Sequence, residues 1–149
     1  MRRLILVAVT ALLASCASRQ PLVVKQSTLR DTVVDFSQDP MIRGEKLRRL
    51  HGAIGVNEQA QRLGQYYTVI WNDEAVGTPA EIVFEYQQGA TGSRVKKQTR
   101  TFDPSATTGQ TEFSIIGDNY TKGGKVLAWR ISLHRGGREI ASQRSYLWQ

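Results

Sequence analysis

The chain contains few of the residues that build cross-links, metal sites and redox centres. Its 149 residues include one cysteine, and its two histidines, His51 and His134, lie far apart in the sequence. A single cysteine cannot form an intramolecular disulfide, and without a second one there is no CxxC pair for redox exchange or metal binding. No HxH or HExxH motif is present either. We therefore expect a fold stabilised by packing alone, with no metal and no bound cofactor.

Sequence motifs of catalysis are also missing. There is no GxSxG motif for a serine hydrolase, and the glycine-rich segments do not match a phosphate-binding loop. Two pairs of carboxylates are present: Asp73 and Glu74 adjoin a predicted turn, and Glu81 and Glu85 lie on the polar side of a predicted strand. We predict that the protein is not an enzyme. A hydrolase built around Asp73, Glu74 or His134 is the least favoured alternative.

The charge of the chain is positive but not strongly so. Lysine and arginine outnumber aspartate and glutamate by 20 to 13, and hydrophobic residues make up 40% of the chain. Two of the basic residues, Arg2 and Arg3, precede a long apolar run, so a chain without residues 1–15 has 18 basic and 13 acidic side chains. These values are ordinary for one globular domain with a modest core.

The first fifteen residues have the features of an export signal. Met1–Arg3 is a short positively charged region, and Leu4–Ala14 is an apolar run of the length found in signal peptides. The run is too short to cross a bilayer, and the polar sequence SCASRQP follows it. We predict a cleaved signal peptide over residues 1–15. Export would exclude nucleic acid as the natural partner.

The residues that close this leader match a lipidation motif. Leu13, Ala14, Ser15 and Cys16 are a branched apolar residue, two small residues and the only cysteine. They resemble the lipobox of bacterial lipoproteins at all four positions, although the resemblance covers only the first 16 residues. It implies that the Cys16 thiol receives a diacylglycerol, that a peptidase cuts before it, and that the new amino terminus is acylated. The alternative is ordinary secretion by cleavage near Ser15–Ala17.

The same resemblance implies a location in the cell envelope. In the lipoprotein family, an aspartate directly after the cysteine retains the protein at the inner membrane, whereas this chain has Ala17 and Ser18 there. The lipobox therefore indicates the outer membrane, with the domain facing the periplasm and anchored by the lipid on Cys16.

The mature chain is predicted to begin with a tether and a mixed N-terminal segment. Residues 16–22 form the lipidated tether. Within residues 23–64, two β-branched clusters, Val23–Val24 and Thr32–Val34, predict one broken strand or two short ones. A helix and a second short helical turn, NEQAQRLG, capped by Asn57, follow before the sheet begins.

The first of these helices is predicted to start after Asp39, a good N-cap, with Pro40 at its first position and Gly52 at its end. Its apolar residues are Leu47, Leu50 and Ile54. Basic residues flank them: Arg43, Lys46, Arg48 and Arg49. Such a helix can lie on a membrane surface and attract anionic headgroups. It can also pack its apolar residues on the domain and leave its other side in water, and we favour this second interpretation.

From Gln65 onward, strands separated by turn residues are predicted. Glycines at Gly136–Gly137 predict a tight hairpin, and GDNYTKGG predicts an irregular loop. Alternation assigns two sets of residues to the core: Ile82, Phe84 and Tyr86 in one strand, and Leu127, Trp129, Ile131 and Leu133 in another.

These elements predict a mainly β fold. We expect an antiparallel β-sandwich of about seven strands with one short N-terminal helix, residues 65–149 forming its core; a small barrel is the alternative. In architecture this fold resembles an immunoglobulin-like or fibronectin type III-like sandwich, without the cysteine pair of true immunoglobulin domains. Trp71 and Trp129 are expected to fill the space between the sheets.

One predicted strand, RVKKQTRTF, is strongly basic. We expect it at a sheet edge, because charge discourages pairing with other molecules. Its four cations are candidates for binding an anionic partner: Arg94, Lys96, Lys97 and Arg100. That attraction would weaken with salt. An ordinary solvated strand is the favoured interpretation.

These features predict a membrane-anchored envelope lipoprotein with a non-catalytic role. It would bind or scaffold another envelope protein through a sheet edge or loops. The alternative is a module that binds glycan or another anionic polymer, using the basic strand together with exposed aromatic residues such as Tyr120 or Trp148.

Overall fold

Alternating apolar and polar residues build seven strands in residues 20–149, the part of the chain that the computed structural model describes. The strands are β1 (Leu22–Leu29), β2 (Gly64–Asn72), β3 (Ala80–Gln88), β4 (Lys96–Phe102), β5 (Thr108–Ile116), β6 (Val126–Arg135) and β7 (Arg138–Arg144). Three α-helices accompany them: α1 (Pro40–Leu50), α2 (Val56–Ala60) and α3 (Asp118–Gly123). A single 3-10 turn, Gly89–Thr91, follows β3.

The strands form two antiparallel sheets that pack as a sandwich. The three-stranded sheet has the order β1-β2-β5, and the four-stranded sheet has the order β4-β3-β6-β7. This confirms the predicted sandwich, and it places the basic strand β4 at a sheet edge as expected. β1 belongs to the sandwich itself, because it pairs with β2 along its whole length. Leu22 lies opposite Trp71 at one end, and Leu29 lies opposite Gly64 at the other.

The core lies between the inner faces of the two sheets. It is rich in aromatic residues: the Phe84 ring centroid lies 4.7 Å from that of Tyr67 and 5.2 Å from that of Phe113. Two of the three residues predicted for β3 and two of the four predicted for β6 are fully buried. The large fully buried apolar residues are Tyr67, Val69, Trp71, Ile82, Phe84, Phe113, Ile115, Ile131 and Leu133. Trp71 fills the core as predicted, whereas Trp129 is half-buried against Tyr67.

The prediction for Leu127 was wrong, because this side chain is 54% exposed. A β-bulge causes the difference. Gln87 pairs with Ala128 but Gln88 pairs with Val126, so one residue of β6 has no partner in β3. An extra residue shifts the alternation of faces along a strand. Val126 and Ala128 are buried instead.

Three further elements differ from the predictions. The segment after Leu29 does not continue as a strand through Thr32–Val34. The GDNYTKGG segment, predicted as a loop, contains α3. The short helix α2 begins after Gly55 rather than after Asn57, with the Glu58 carboxylate accepting hydrogen bonds from the Ile54 and Gly55 amides.

The helix cap and the hairpin turn follow the prediction. Asp39 Oδ1 accepts hydrogen bonds from the amides of Met41 and Ile42 at the start of α1. Gly136 and Gly137 join β6 to β7 with φ angles of 56° and 76°, which other residues rarely adopt.

Buried polar groups close the N-terminal end of the sandwich, which comprises the β2–β3 loop, the β4–β5 loop and the β6–β7 hairpin. The Arg135 guanidinium, in the interior, bonds the Asp73 carboxylate at 2.7 Å and the backbone carbonyls of Thr78 and Ala106. One side chain thereby ties both loops to β6. The chain enters at this same end, where Pro21 accepts a hydrogen bond from the Asn72 amide.

The Trp71 indole packs closely against Gly109, so a substitution at Gly109 tests the packing of the core. They lie opposite each other in β2 and β5, and a Cβ added to Gly109 would come within 2.6 Å of Trp71 Nε1. We expect Gly109→Ala to lower the free energy of unfolding by about 1–3 kcal/mol, because the indole cannot move inside a packed core. Urea denaturation followed by circular dichroism measures this change.

Gly44→Ala is the matched control. Gly44 lies in the exposed part of α1 with no atom within 4 Å of the added Cβ. Alanine favours a helix, so this substitution should raise the free energy of unfolding by about 0.4–1 kcal/mol. Equal effects of the two substitutions would contradict the described packing of Trp71.

Candidate functional site

The predicted lipidation motif lies outside the described residues. Leu13, Ala14, Ser15 and Cys16 precede Gln20, the first described residue. The fold therefore bears on the predicted anchor only through the point at which the chain enters the sandwich, next to the β2–β3 loop.

The four candidate residues for an anionic partner do not form one surface. Lys96 and Arg100 face the interior side of β4: the Lys96 ammonium donates to Gln88 Oε1 at 2.8 Å, and the Arg100 guanidinium lies over the Phe113 ring. Lys97 is on the opposite, outer face of the sheet. Arg94 precedes the strand. A single extended anion would therefore not contact all four cations.

The outer face of the four-stranded sheet holds one serine–histidine pair. Ser132 Oγ lies 2.8 Å from His134 Nε2, in a shallow depression that Glu81, Glu85 and Arg130 also line. The Ser132 residue is only 1% exposed, so its hydroxyl is not presented to a substrate. Within residues 20–149, no carboxylate is hydrogen-bonded to the His134 ring. The pair thus lacks the exposed nucleophile and the oriented base that a hydrolase requires.

Asp73 has a structural contact. Its carboxylate forms the ion pair with Arg135 at the N-terminal end of the sandwich, and the Asp73 side chain is 13% exposed. Glu74, its neighbour, is exposed in the loop. The two carboxylates are therefore in different environments, and Asp73 is occupied by a cation of the protein itself.

The aromatic residues considered for glycan binding are not fully exposed. Tyr120 in α3 and Trp148 near the end of the chain are both half-buried. Among the described residues, the arginines that approach aromatic rings lie over Phe36, Tyr66, Trp71 and Phe113 instead. Lys96 of the basic strand shares a shallow depression with Asp118 and Asn119 of α3, but Tyr120 and Trp148 are not among the residues that line it.

Helix α1 packs on the outer face of the three-stranded sheet through its basic residues. Lys46 and Arg49 are its buried residues, whereas Leu47 is 51% exposed and Met41 is 84% exposed. The prediction that α1 packs through its apolar residues was therefore wrong. The physical reason is that the sheet presents the Glu112 carboxylate and the Tyr66 ring to α1 rather than an apolar surface.

Arg49 makes the central contact of this helix. Its Nε lies 2.7 Å from Glu45 in the same helix, and its Nη1 lies 2.6 Å from Glu112 in β5. Its guanidinium also stacks 3.8 Å above the Tyr66 ring in β2. Glu112 accepts a further hydrogen bond from Thr68. One buried guanidinium therefore joins α1 to two strands.

The other cations of α1 are also engaged within the protein. The Lys46 ammonium bonds Asp31 at 2.6 Å and the Val33 carbonyl at 2.7 Å, and this hydrogen bond lowers the pKa of Asp31. Hydrogen bonds from Arg48, with a further contribution from Arg49, lower the pKa of Glu45. Anionic headgroups would have to compete with these carboxylates. The arrangement gives no support to a membrane-surface role for α1.

A groove separates α1 from the second half of β1. We call it the α1–β1 groove; it encloses about 390 Å³, within the range of about 300–1,000 Å³ typical of ligand sites. The exposed side chains of Met41 and Ile42 form its apolar wall. The residues that line it are Ser27, Thr28, Leu29, Arg30, Asp31, Gln38, Met41, Ile42, Glu45, Lys46 and Arg49.

The side of β1 that faces away from β2 is open beside this groove. The Val24 amide points to that side, because it donates to Gln143 Oε1 of β7 at 2.8 Å. Amide direction alternates along an antiparallel strand, so the amides of Gln26 and Thr28 point the same way. β1 is an edge strand, and no other strand of residues 20–149 pairs with this side. Backbone donors and acceptors are therefore exposed next to an apolar wall.

Sequence reasoning did not identify the α1–β1 groove. One signal was present, since Lys46 and Arg49 are three residues apart and thus share a side of the helix, with Glu45 four residues before Arg49. That spacing indicates a polar inner side. The partner Glu112, however, lies 63 residues later, and only the tertiary structure brings it to α1.

Two possible features are missing from the described part of the chain. None of its helices has the length and the hydrophobicity needed to cross a membrane. No group of three or more histidine, cysteine, aspartate or glutamate residues there is arranged to hold a metal ion.

Comparisons of this chain with protein-family models, with curated proteins and with solved structures gave no match. The properties of the site therefore follow from its own geometry.

Glu45, one of the two acidic partners of Arg49, makes the stability of the protein depend on pH. The pKa of Glu45 is lowered below its ordinary value of 4.5, so its contribution to stability is present above that value and is lost as the pH falls through the lowered pKa. We expect wild type to be more stable than Glu45→Gln at pH 7 and the difference to shrink below about pH 4.5. Urea denaturation at several pH values measures it.

Glu74→Gln is the control for this comparison, because Glu74 is exposed and forms no ion pair within residues 20–149. It should match wild type at every pH. A stability difference between wild type and Glu45→Gln that stays constant from pH 7 to pH 3 would refute the electrostatic role of Glu45.

Proposed function

We propose that this protein is a lipid-anchored lipoprotein of the bacterial envelope that binds another envelope component without catalysing a reaction. The diacylglycerol and N-acyl chains on Cys16 would hold it in the outer membrane, with the domain in the periplasm. The sandwich would be a binding domain whose architecture resembles immunoglobulin-like and fibronectin type III-like domains. The observation that carries the binding role is the open edge of β1 beside the α1–β1 groove.

The position of the groove along β1 supports this role. The chain enters the sandwich at Leu22, and the groove begins at Ser27. A strand rises about 3.3 Å per residue, so the groove lies roughly 15–25 Å further from the chain entry. A tether attached before Gln20 would therefore hold the N-terminal end of the sandwich next to the bilayer. The groove would remain accessible to a periplasmic partner.

The geometry of the other candidate sites supports a non-catalytic role. Ser132 is buried, and Asp73 is paired with Arg135. The groove, in contrast, combines exposed apolar side chains with backbone groups that have no partner strand, which is a common basis of peptide recognition. Binding is thus the function for which this surface offers suitable groups.

The anchor is tested by a substitution at its attachment point. Cys16→Ala removes the thiol, so the protein should be lost from the outer-membrane fraction when host cells are fractionated, because two or three acyl chains hold a protein on a bilayer and none would be attached. Mass spectrometry of the purified wild-type protein should show a diacylglyceryl group on Cys16.

Ser15→Ala is the matched control. Alanine is also a small residue, so this variant should still be lipidated and should remain in the membrane fraction. A Cys16→Ala protein that stays in the outer-membrane fraction, or a wild-type protein whose mature chain begins after residue 16 or has an unmodified Cys16 thiol, would overturn the proposed anchor.

A further inference from the structure

The four edge strands of the sandwich, β1, β4, β5 and β7, differ in the charge that they carry. Charged side chains along β4, β5 and β7 oppose pairing with another strand; these are Lys97, Arg100, Glu112, Arg138 and Arg144. The first half of β1 is covered where the Val24 amide bonds Gln143. In the second half of β1, the residues whose backbone amides point to the open side are Gln26 and Thr28, and both are uncharged. This half of β1 therefore carries no charge that opposes pairing, and it lies beside the α1–β1 groove.

An extended segment fits the backbone of this edge. If another strand lay beside β1, the amides and carbonyls of Gln26 and Thr28 would pair with it. In an antiparallel pair each such residue exchanges two hydrogen bonds, which gives about four bonds over this length. Side chains alternate between the two faces of an added strand, so every second one would lie on the same side as α1.

The α1–β1 groove provides the contact for those alternate side chains. Met41 and Ile42 line it and are exposed, and they would be covered by apolar side chains of the added segment. Apolar contact of this kind supplies affinity and specificity beyond the backbone hydrogen bonds. The edge and the groove therefore form one continuous surface for an extended peptide.

Charge indicates the chemistry of the other side chains. Lys25 and Arg30 are exposed next to the edge, and neither forms an ion pair within residues 20–149. The two acidic residues that line the groove are already paired, since Asp31 pairs with Lys46 and Glu45 pairs with Arg48 and Arg49. The unpaired charge at this surface is positive. It favours acidic residues in the partner.

The tether of the chain is too short to occupy this surface. After cleavage before Cys16, four residues would precede Gln20 and span at most about 14 Å. They enter at the Leu22 end of β1, whereas the open edge lies towards Leu29, about 23 Å away at 3.3 Å per residue. The predicted tether therefore does not reach the open edge, and a segment of another molecule is the occupant that we consider.

We propose that the open edge of β1 and the α1–β1 groove bind an extended segment of another envelope protein, in which acidic and apolar residues alternate, by addition of a strand to the three-stranded sheet. This inference rests on the proposed function as a tethered binding protein, and it names the partner class and the binding mode.

The test uses the full-length protein in detergent micelles and three defined peptides. The first is a fluorescein-labelled hexapeptide in which glutamate and valine alternate. The second has lysine in place of glutamate, and the third is the first peptide with every backbone amide methylated. Fluorescence anisotropy should show that the first binds at least about tenfold more tightly than either of the others, because only it combines acidic charge with backbone donors.

Substitutions then locate the binding surface. Thr28→Pro removes the outward amide and leaves the β1–β2 ladder unchanged. Ile42→Glu places a charge in the apolar wall, and Arg30→Glu reverses the favourable charge. Each should weaken binding of the glutamate–valine peptide by about tenfold. Leu127→Glu is the control, because this exposed residue lies on β6 away from the groove, and it should change the affinity by less than about twofold.

Some outcomes would overturn the inference. The first is equal binding of the three peptides, and the second is affinity that is unaffected by Ile42→Glu and Arg30→Glu. A third is a peptide-free dimer that Thr28→Pro dissociates, since a second copy would then occupy the edge. Cys16→Ala should bind the peptide as wild type does, so failure of the anchor and failure of the groove are distinguishable.

Discussion

The contact of Arg49 with the three-stranded sheet determines the shape of the whole α1 side of the molecule. This guanidinium is buried between Glu45, Glu112 and the Tyr66 ring, and it is the main link from α1 to β2 and β5. Burying a charge is costly unless opposite charge and hydrogen bonds compensate it, and the Glu45 and Glu112 carboxylates supply both here. The helix is therefore held in one position by a specific polar contact.

This mode of attachment explains why apolar side chains remain exposed. A helix that packs through apolar residues uses them for its own stability and presents its charges to water. Here Lys46 and Arg49 face the protein, so Met41 and Ile42 are left at the wall of the groove. In the proposed complex, apolar side chains of the partner would cover them. Because α1 packs through its basic residues, its apolar residues remain exposed at the groove.

Local sequence patterns predicted the parts of the fold that depend on neighbouring residues. Alternation located the buried residues of β3, Asp39 located the start of α1, and the glycine pair located the last hairpin. The bulge that exposes Leu127 depends on the pairing of β6 with β3, and the inner side of α1 depends on Glu112 in β5. A single sequence does not indicate such long-range partners. The sandwich could therefore be predicted, whereas the groove could not.

The dependence of the groove on Arg49 is tested most directly by amide hydrogen exchange in Arg49→Met, with Arg48→Met, an exposed position, as control. Methionine keeps the length of the side chain but has no donor for Glu112. The account predicts that the amides of α1 lose most of their protection in Arg49→Met, while those of β2, β3 and β6 keep theirs and Arg48→Met resembles wild type. Unchanged protection of α1 in Arg49→Met would contradict it.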